Sequence, residues 1–356
     1  MQVNPNLFFL LKEGEIIAWD YKNHQQFSLT RPYFERLLQW SQTQDHTVTS
    51  IDEQLAEGEL LVPASVPQEN WGWDMLAQIY HIGTKDIGGH LASLEAKQWT
   101  EQYLDHCKEI AKDSVELFTC KEGVSIQLPP PNFKLFKGKT FLEALQNRKT
   151  CRSFNGKPIN LETLSTLLFT SLGPLHGEWS DLKNHELSEL GIRKAFPSGG
   201  GLHPEEGYVV ALAVEGLEKG IYHYRFHEHQ LILIKQGCFE AKLVELLCGQ
   251  YYLKGIAFGL FISARFDKSW WKYPHSRGYR IVLLDIGHAS QTVLLTATTL
   301  GLNTWLSAAF NDTGVDELLG IQQSSEASLF FIGIGHGDNS SLNPEMLKIL
   351  GASSEL

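Results

Sequence analysis

Apolar and polar positions fall in blocks whose period changes along the chain. Leu7 to Leu11, Ile16 to Trp19 and Gln26 to Leu29 are short apolar runs separated by Glu13-Gly14-Glu15 and Asn23-His24, and they predict three strands. From Thr30 the period lengthens. Phe34, Leu37, Leu38 and Trp40 share one face of a helix that Thr30 caps and Pro32 opens. Ser50 starts a second, short helix carrying Leu55, and Leu60 to Val62 reads as a strand. Pro63 to Asn70 breaks the pattern and predicts a linker. Two helical stretches follow, one holding Trp71, Trp73, Leu76, Ala77 and Tyr80, the other running from Leu94 to Ile110 and rich in charge. Lys121 to Lys139, with Pro129-Pro130-Pro131, predicts an extended arm.

A main domain begins near Thr140. Leu161, Leu164, Leu167, Leu168 and Leu172 recur at helical spacing, with Asn160 or Glu162 at the start and Gly173 at the end. Tyr208–Val214, Gly220–Phe226, Gln230–Lys235 and Phe258–Phe266 predict strands, and Asn303–Phe310 and Leu329–Gly335 are apolar runs of strand length. Between them Ile281 to Leu300 predicts a long helix rich in small residues, suited to close packing. Strands and helices mixed in this order imply an α+β sandwich and not a regular βαβ succession. The expected domains are residues 1–65, a linker and helical arm over 66–139, and a main domain over 140–356.

With 356 residues, 43% of them apolar, the chain has ample core for this plan. A net charge of −11 argues against a nucleic-acid partner. No apolar run approaches the ~20 residues that cross a bilayer, and the N-terminus lacks the marks of a signal peptide. Five cysteines without CxxC spacing read as free thiols of a reducing cytoplasm. No His/Cys/Asp cluster has structural-zinc spacing, so no metal is expected.

Two stretches carry candidate chemistry. Arg148, Lys149 and Arg152, with Thr150 and Ser153 between them, set three cations within five residues of an acidic chain. Guanidinium forks match phosphate oxygens, although a solvated basic patch has the same composition. Pro197-Ser198-Gly199-Gly200-Gly201-Leu202-His203-Pro204 stops regular structure and offers bare backbone that a flat ligand can approach; an ordinary surface loop before a strand reads the same way.

Arg148 to Phe154 is similar to the RRSxRxF opening of the nitroreductase family. Pro197 to Pro204 resembles the PSAGxLYP segment of its SagB/ThcOx branch, dehydrogenases of ribosomal peptide maturation. Gly220-Ile221-Tyr222-His223-Tyr224 resembles that branch's GLYxY strand. Lys272-Tyr273, Arg277 to Arg280, Leu284 to His288 and Ala297 to Leu302 resemble its KY…RGYR…LDAGH…AxxLGL tract, and Ala77 to Thr84 its AxxFHxxT segment. The resemblance implies a nitroreductase-like FMN-binding sandwich and an obligate homodimer with two flavin sites at its interface. It places the FMN phosphate on Arg148, Lys149, Thr150 and Arg152. The flavin ring would lie along Pro197, Ser198, Gly199 and Gly200, with Gly301 and Leu302 on its other side. Residues 1–65 resemble, in pattern, the winged-helix peptide-recognition domains found beside enzymes that modify ribosomal peptides. A structural appendage or a dimer arm fits that pattern equally.

Relatives that oxidise azolines often carry a Lys-Tyr pair in the glycine turn, where this chain has Leu202-His203. His203 is therefore the favoured substrate base, with Lys272 and Tyr273 as further candidates. Three functions follow from the resemblance. The first is FMN-dependent oxidation of a precursor peptide, for example azoline to azole, in the company of other maturation enzymes. The second is NAD(P)H-dependent reduction of nitro, quinone or dehydroamino-acid compounds. The third is a non-catalytic scaffold role in a maturation complex. The N-terminal extension favours the first, because simple nitroreductases are much shorter.

Overall fold

The computed structural model describes residues 1–43, 46–65, 71–86, 94–113, 115–177, 192–322 and 324–353; residues 66–70 of the expected linker lie outside them. The chain forms two compact units, Met1–Ser93 and Leu94–Leu356.

In the first unit β1 (Gln2–Val3) precedes an antiparallel sheet of β2 (Leu7–Lys12), β3 (Glu15–Asp20) and β4 (Gln25–Leu29). Then come α1 (Arg31–Gln42), α2 (Ser50–Glu57), β5 (Leu61–Val62), which closes back on β1, and α3 (Met75–Gly83). Ala18, Leu37, Trp40, Leu55, Leu60 and Leu61 form its core. The buried Asp52 ties the two helices together. It accepts two 2.7 Å hydrogen bonds from the Arg36 guanidinium and one of 2.6 Å from Trp40 Nε1.

The second unit contains α4 (Ala96–Ala111), β6 (Val124–Gln127), α5 (Phe141–Asn147), β7 (Ile159–Asn160) and α6 (Leu161–Leu172). It continues with β8 (Glu205–Ala211), β9 (Val214–Glu215), β10 (Gly220–Arg225), β11 (Gln230–Gln236) and α7 (Glu240–Leu246). Beyond these are β12 (Phe258–Arg265), α8 (Phe266–Lys272), α9 (Arg277–Thr299), β13 (Asn303–Ser307), α10 (Asp312–Leu319), β14 (Glu326–Gly335) and α11 (Pro344–Ser353). Seven strands make one antiparallel sheet in the order β13-β14-β12-β8-β10-β11-β6.

Strand alternation divides the core. On the central strand, Val209 and Ala211 point to the side of α6 and α9, where Leu164, Leu168, Val282, Ile286 and Val293 meet them. Tyr208 and Val210 point to the opposite side, against Leu243, Leu246, Val315 and Leu319. This is the expected α+β arrangement, with helices on both faces of one sheet.

Two expectations change. The arm over 66–139 is not one segment. Residues 71–86 belong to the first unit, whereas α4 and β6 belong to the second, where β6 pairs with β11 at the sheet edge. In addition, α9 is long and apolar enough to span a bilayer by length and composition. Its Val282, Ile286, Ala289, Val293 and Ala297 are nevertheless buried in the core, so the helix is a packing element of the fold.

Candidate functional site

The glycine turn is built by α9. Asp285, buried in the third turn of that helix, accepts from Ser198 Oγ at 2.6 Å and from the Gly199 N–H at 3.1 Å. Ser198 Oγ in turn accepts from the His203 N–H at 2.9 Å. Burial raises the Asp285 pKa, and the donors from Ser198 and Gly199 oppose that rise. A Cβ on Gly199 would lie 2.3 Å from Ile281 Cγ2, so the turn sits directly on the helix. Ser198 and the Gly199 N–H, expected to face a flavin ring, are thus occupied in holding the turn.

Gly200 is the bare point of the turn. Its φ is +66°, and a Cβ there would meet Tyr273 Oη at 2.5 Å and Lys272 Nζ at 3.1 Å. The amine and the phenol therefore converge on the glycine. Lys272 closes α8 and its side chain is buried; Nζ donates to Tyr103 Oη at 3.1 Å and to the Gly200 carbonyl at 3.4 Å. Among the described residues no carboxylate forms an ion pair with it. Burial lowers the Lys272 pKa, with the Cys107 thiol acting weakly against this. Burial also raises the Tyr273 pKa, so that side chain stays a neutral phenol. Tyr273 further lines a cleft of about 450 Å³ whose other walls include Phe266, Trp270, Pro274, His275 and Tyr279. That cleft gives a ligand room beside the Tyr273 phenol.

His203 is not placed where a base at the ring would be. Its backbone has φ +46°, which turns the ring inward. There it is buried, with Nδ1 3.3 Å from Glu205 Oε1 and its ring edge-on to Phe196. Glu205 also receives Lys194 Nζ at 2.7 Å. Burial alone would raise the Glu205 pKa, but Lys194 and His203 outweigh it and hold the carboxyl at about 2. Beside it, Glu206 is held below its ordinary value by Lys268 and His223, again against burial.

The basic cluster lies elsewhere. Thr150 bridges Thr304 in parallel, and the Cys151 N–H donates to the Thr304 carbonyl at 2.8 Å, so Thr150 and Cys151 lie against β13. Arg148 and Lys149 enter no ion pair or side-chain hydrogen bond among the described residues. Arg152 does: its guanidinium donates to the Ser341 carbonyl at 2.7 Å and lies over the Tyr252 ring. Gly301, with φ +79° and open space where a Cβ would stand, adjoins this cluster, while Leu302 is buried. Unpaired cations beside open backbone fit a phosphate-bearing group. The distance to the glycine turn is the notable feature. From Asp285 to Thr299 the helix α9 rises roughly 21 Å at 1.5 Å per residue, so the two halves of the expected flavin site stand apart on one chain.

Tyr103 was not foreseen at the site. Trp99, Tyr103, Cys107 and Ile110 recur at helical spacing within a charged stretch. That stripe signals a helix face in need of a partner.

The sequence model of the nitroreductase family matches residues 145–336. The chain is 30% identical over 181 residues to a protein of Methanocaldococcus jannaschii named as a nitroreductase, covering 51% of this chain and 84% of that protein. It is 30% identical over 142 residues to the trifolitoxin-processing protein of Rhizobium leguminosarum bv. trifolii, covering 39% of this chain and 38% of that one. It is also 30% identical over 144 residues to the microcin B17-processing protein of Escherichia coli, covering 39% and 52%. The chain thus spans about half or less of the two processing proteins. The match to the family model takes in the basic cluster, the glycine turn, Lys272-Tyr273 and all of α9, and the chain belongs to the nitroreductase family, whose members are generally flavin-dependent oxidoreductases.

Proposed function

We propose that this chain is an FMN-dependent dehydrogenase of a ribosomally made precursor peptide, working as a homodimer whose flavin sites are each shared by two copies. The observation that carries the reading is the buried Lys272 amine. Among the described residues it has no carboxylate partner, and it rests against the bare Gly200. Such an amine is suited to proton abstraction. Similarity to two toxin-processing proteins supports a peptide substrate.

Arg148 and Lys149, with Thr150 and Gly301 beside them, would hold the FMN phosphate. Arg152 would contribute by fixing the loop that carries them. The bare face of Gly200 would border the ring. Because α9 runs roughly 21 Å between the turn that Asp285 holds and the cluster beside Gly301, each site would take its phosphate side from one copy and its glycine turn from the other. Phe141, Leu142 and Leu145 on α5 and Leu283 and Leu284 on α9 are exposed, an apolar surface that a second copy would cover.

When bound, the flavin supplies the two-electron acceptor. Lys272 Nζ takes the proton from the azoline carbon next to the carbonyl. The ring loses that proton and a hydride, two electrons and two protons in all, and becomes the azole. Tyr273, a neutral phenol, donates a hydrogen bond at the same place.

Mixed dimers test the shared site. Arg148→Ala/Lys149→Ala chains should lose flavin affinity by roughly ten-fold or more per cation removed. Lys272→Ala chains should keep flavin and lose turnover of a synthetic thiazoline-bearing peptide. Mixing the two inactive proteins should restore about a quarter of the activity, since half the dimers then hold one intact site. No recovery would mean that each site lies within one copy. Rapid bleaching of the flavin by NADPH, with no oxidation of the peptide, would instead support reduction of small molecules.

The first unit is assigned to the leader of the precursor. β2 and β4 are both edge strands, and a groove of about 370 Å³ lies beside β4, lined by Phe27, Leu29, Tyr33, Gln54 and Leu60. An extended peptide adds to such an edge through its main chain. Removing the leader from the substrate should raise KM about ten-fold or more while kcat is retained, the pattern of lost uniform binding. Equal KM values with and without leader would contradict this assignment.

A further inference from the structure

We infer that Tyr103, carried by α4, is a positioning residue for Lys272, holding its amine against the Gly200 carbonyl and governing its basicity. This rests on the reading of Lys272 as the substrate base. A lysine side chain has four rotatable bonds, and only fixed contacts give its nitrogen one direction. Here there are two. One is the Gly200 carbonyl at 3.4 Å, a backbone group that no side-chain change alters. The other is Tyr103 Oη at 3.1 Å, from a residue 169 positions earlier in the chain.

The helix that brings Tyr103 is itself fastened to the segment that bears Lys272. His106 Nε2 lies 3.3 Å from the Lys272 carbonyl, and Trp271 Nε1 donates to the Ile110 carbonyl at 3.0 Å. Cys107 is buried in a small cluster with Leu202, against Trp271 and Tyr273. Trp99 stacks on the Tyr103 ring at 5.2 Å with the planes 10° apart. The hydroxyl is therefore delivered from a fixed ring.

The groups around the amine decide the sign of its effect. From α4 come Tyr103, His106 and Cys107; Tyr273 follows α8, and from α9 comes Asp285, whose carboxylate is engaged by Ser198 and Gly199. From the glycine turn comes His203, directed to Glu205, and on α8 Lys268 pairs with Glu206. The Tyr103 hydroxyl stays protonated, because burial raises its pKa and Cys107 and Tyr273 add to the rise. An ammonium needs acceptors for its protons more than a neutral amine does. Its acceptors here are the Gly200 carbonyl and Tyr103 Oη, with the Tyr103 ring 5.4 Å away. Loss of the hydroxyl should thus penalise the charged form and lower the basicity of Lys272 further.

The test uses the flavin-loaded full-length protein with 13Cε-labelled lysine, titrated by NMR in wild type and Tyr103→Phe, with Lys272→Arg to assign the signal. Phenylalanine preserves the stack on Trp99, so the fold and the flavin absorbance should persist. The Lys272 midpoint should fall by roughly one to two pH units in Tyr103→Phe, the loss of one hydrogen bond to a charged group. The rising limb of turnover on a thiazoline-bearing synthetic peptide should move with it. An unmoved midpoint, with Lys272→Ala inactive, overturns the role of Tyr103 alone. Full turnover by Lys272→Ala overturns the reading of Lys272 and this role with it.

Discussion

Replacing Lys272 by alanine should leave the flavin content unchanged and reduce turnover of a thiazoline-bearing peptide by about 10²–10⁴-fold, the usual contribution of a general base. Flavin content should persist because Lys272, at the end of α8, contacts Tyr103 and Gly200 and not the basic cluster of Arg148 and Lys149, and because Asp285, not Lys272, holds the glycine turn. The pH dependence has a definite sign. Only the neutral amine accepts a proton. Burial lowers the Lys272 pKa from its ordinary 10.5. Turnover should therefore rise with pH and reach its plateau below that value. Rate measurements across this range, on wild type and Lys272→Ala, check the prediction; an alanine variant of full activity would remove the amine from the chemistry. His203→Ala gives the contrast. Its ring faces Glu205 in the interior, so that variant should lose stability while its correctly folded fraction keeps turnover and the wild-type pH profile.

The sequence made the two halves of the site legible because their chemistry is local. Three cations within five residues and three consecutive glycines announce themselves without any knowledge of the fold. The sheet was legible for a similar reason: Tyr208, Val209, Val210 and Ala211 are apolar throughout because both faces of β8 are covered. What could not be read depended on direction or on distance along the chain. His203 stands in the glycine turn, as expected. A φ of +46° aims its ring at the core, and no pattern of neighbours foretells that angle. Lys272 gained its place from Tyr103 across 169 positions, through a helix whose charged surface hid a four-residue apolar stripe. The segment before Thr140 read as an arm because it holds three prolines, yet four of its residues pair at a sheet edge. Asp285 stands in the sequence as one acidic residue of a long helix, with nothing near it to name what it holds. Its actual partners, Ser198 and the Gly199 N–H, lie 87 and 86 positions away.

Glu205→Gln should cost the folded protein about 3–5 kcal/mol, the loss expected when one member of a buried ion pair is removed. The side chains of Glu205 and Lys194 are each 1% exposed and 2.7 Å apart. Glutamine keeps the size and removes the charge, which leaves the buried Lys194 ammonium with a neutral amide and the Phe226 ring, 3.9 Å away, in place of its counter-charge. In a unit of this size such a loss lowers Tm by on the order of ten degrees. The acid dependence distinguishes lost charge from lost packing. The folded state holds Glu205 at about 2, below its ordinary 4.5, so its contribution is fully present above 4.5 and disappears as pH falls through about 2. The gap in stability between wild type and Glu205→Gln should accordingly be widest near neutrality and narrow between pH 4.5 and pH 2. A gap that stays constant across that window would show that the side chain acts by packing alone. A narrowing gap would identify the Glu205 charge, facing Lys194 and the His203 ring, as what stabilises this part of the core.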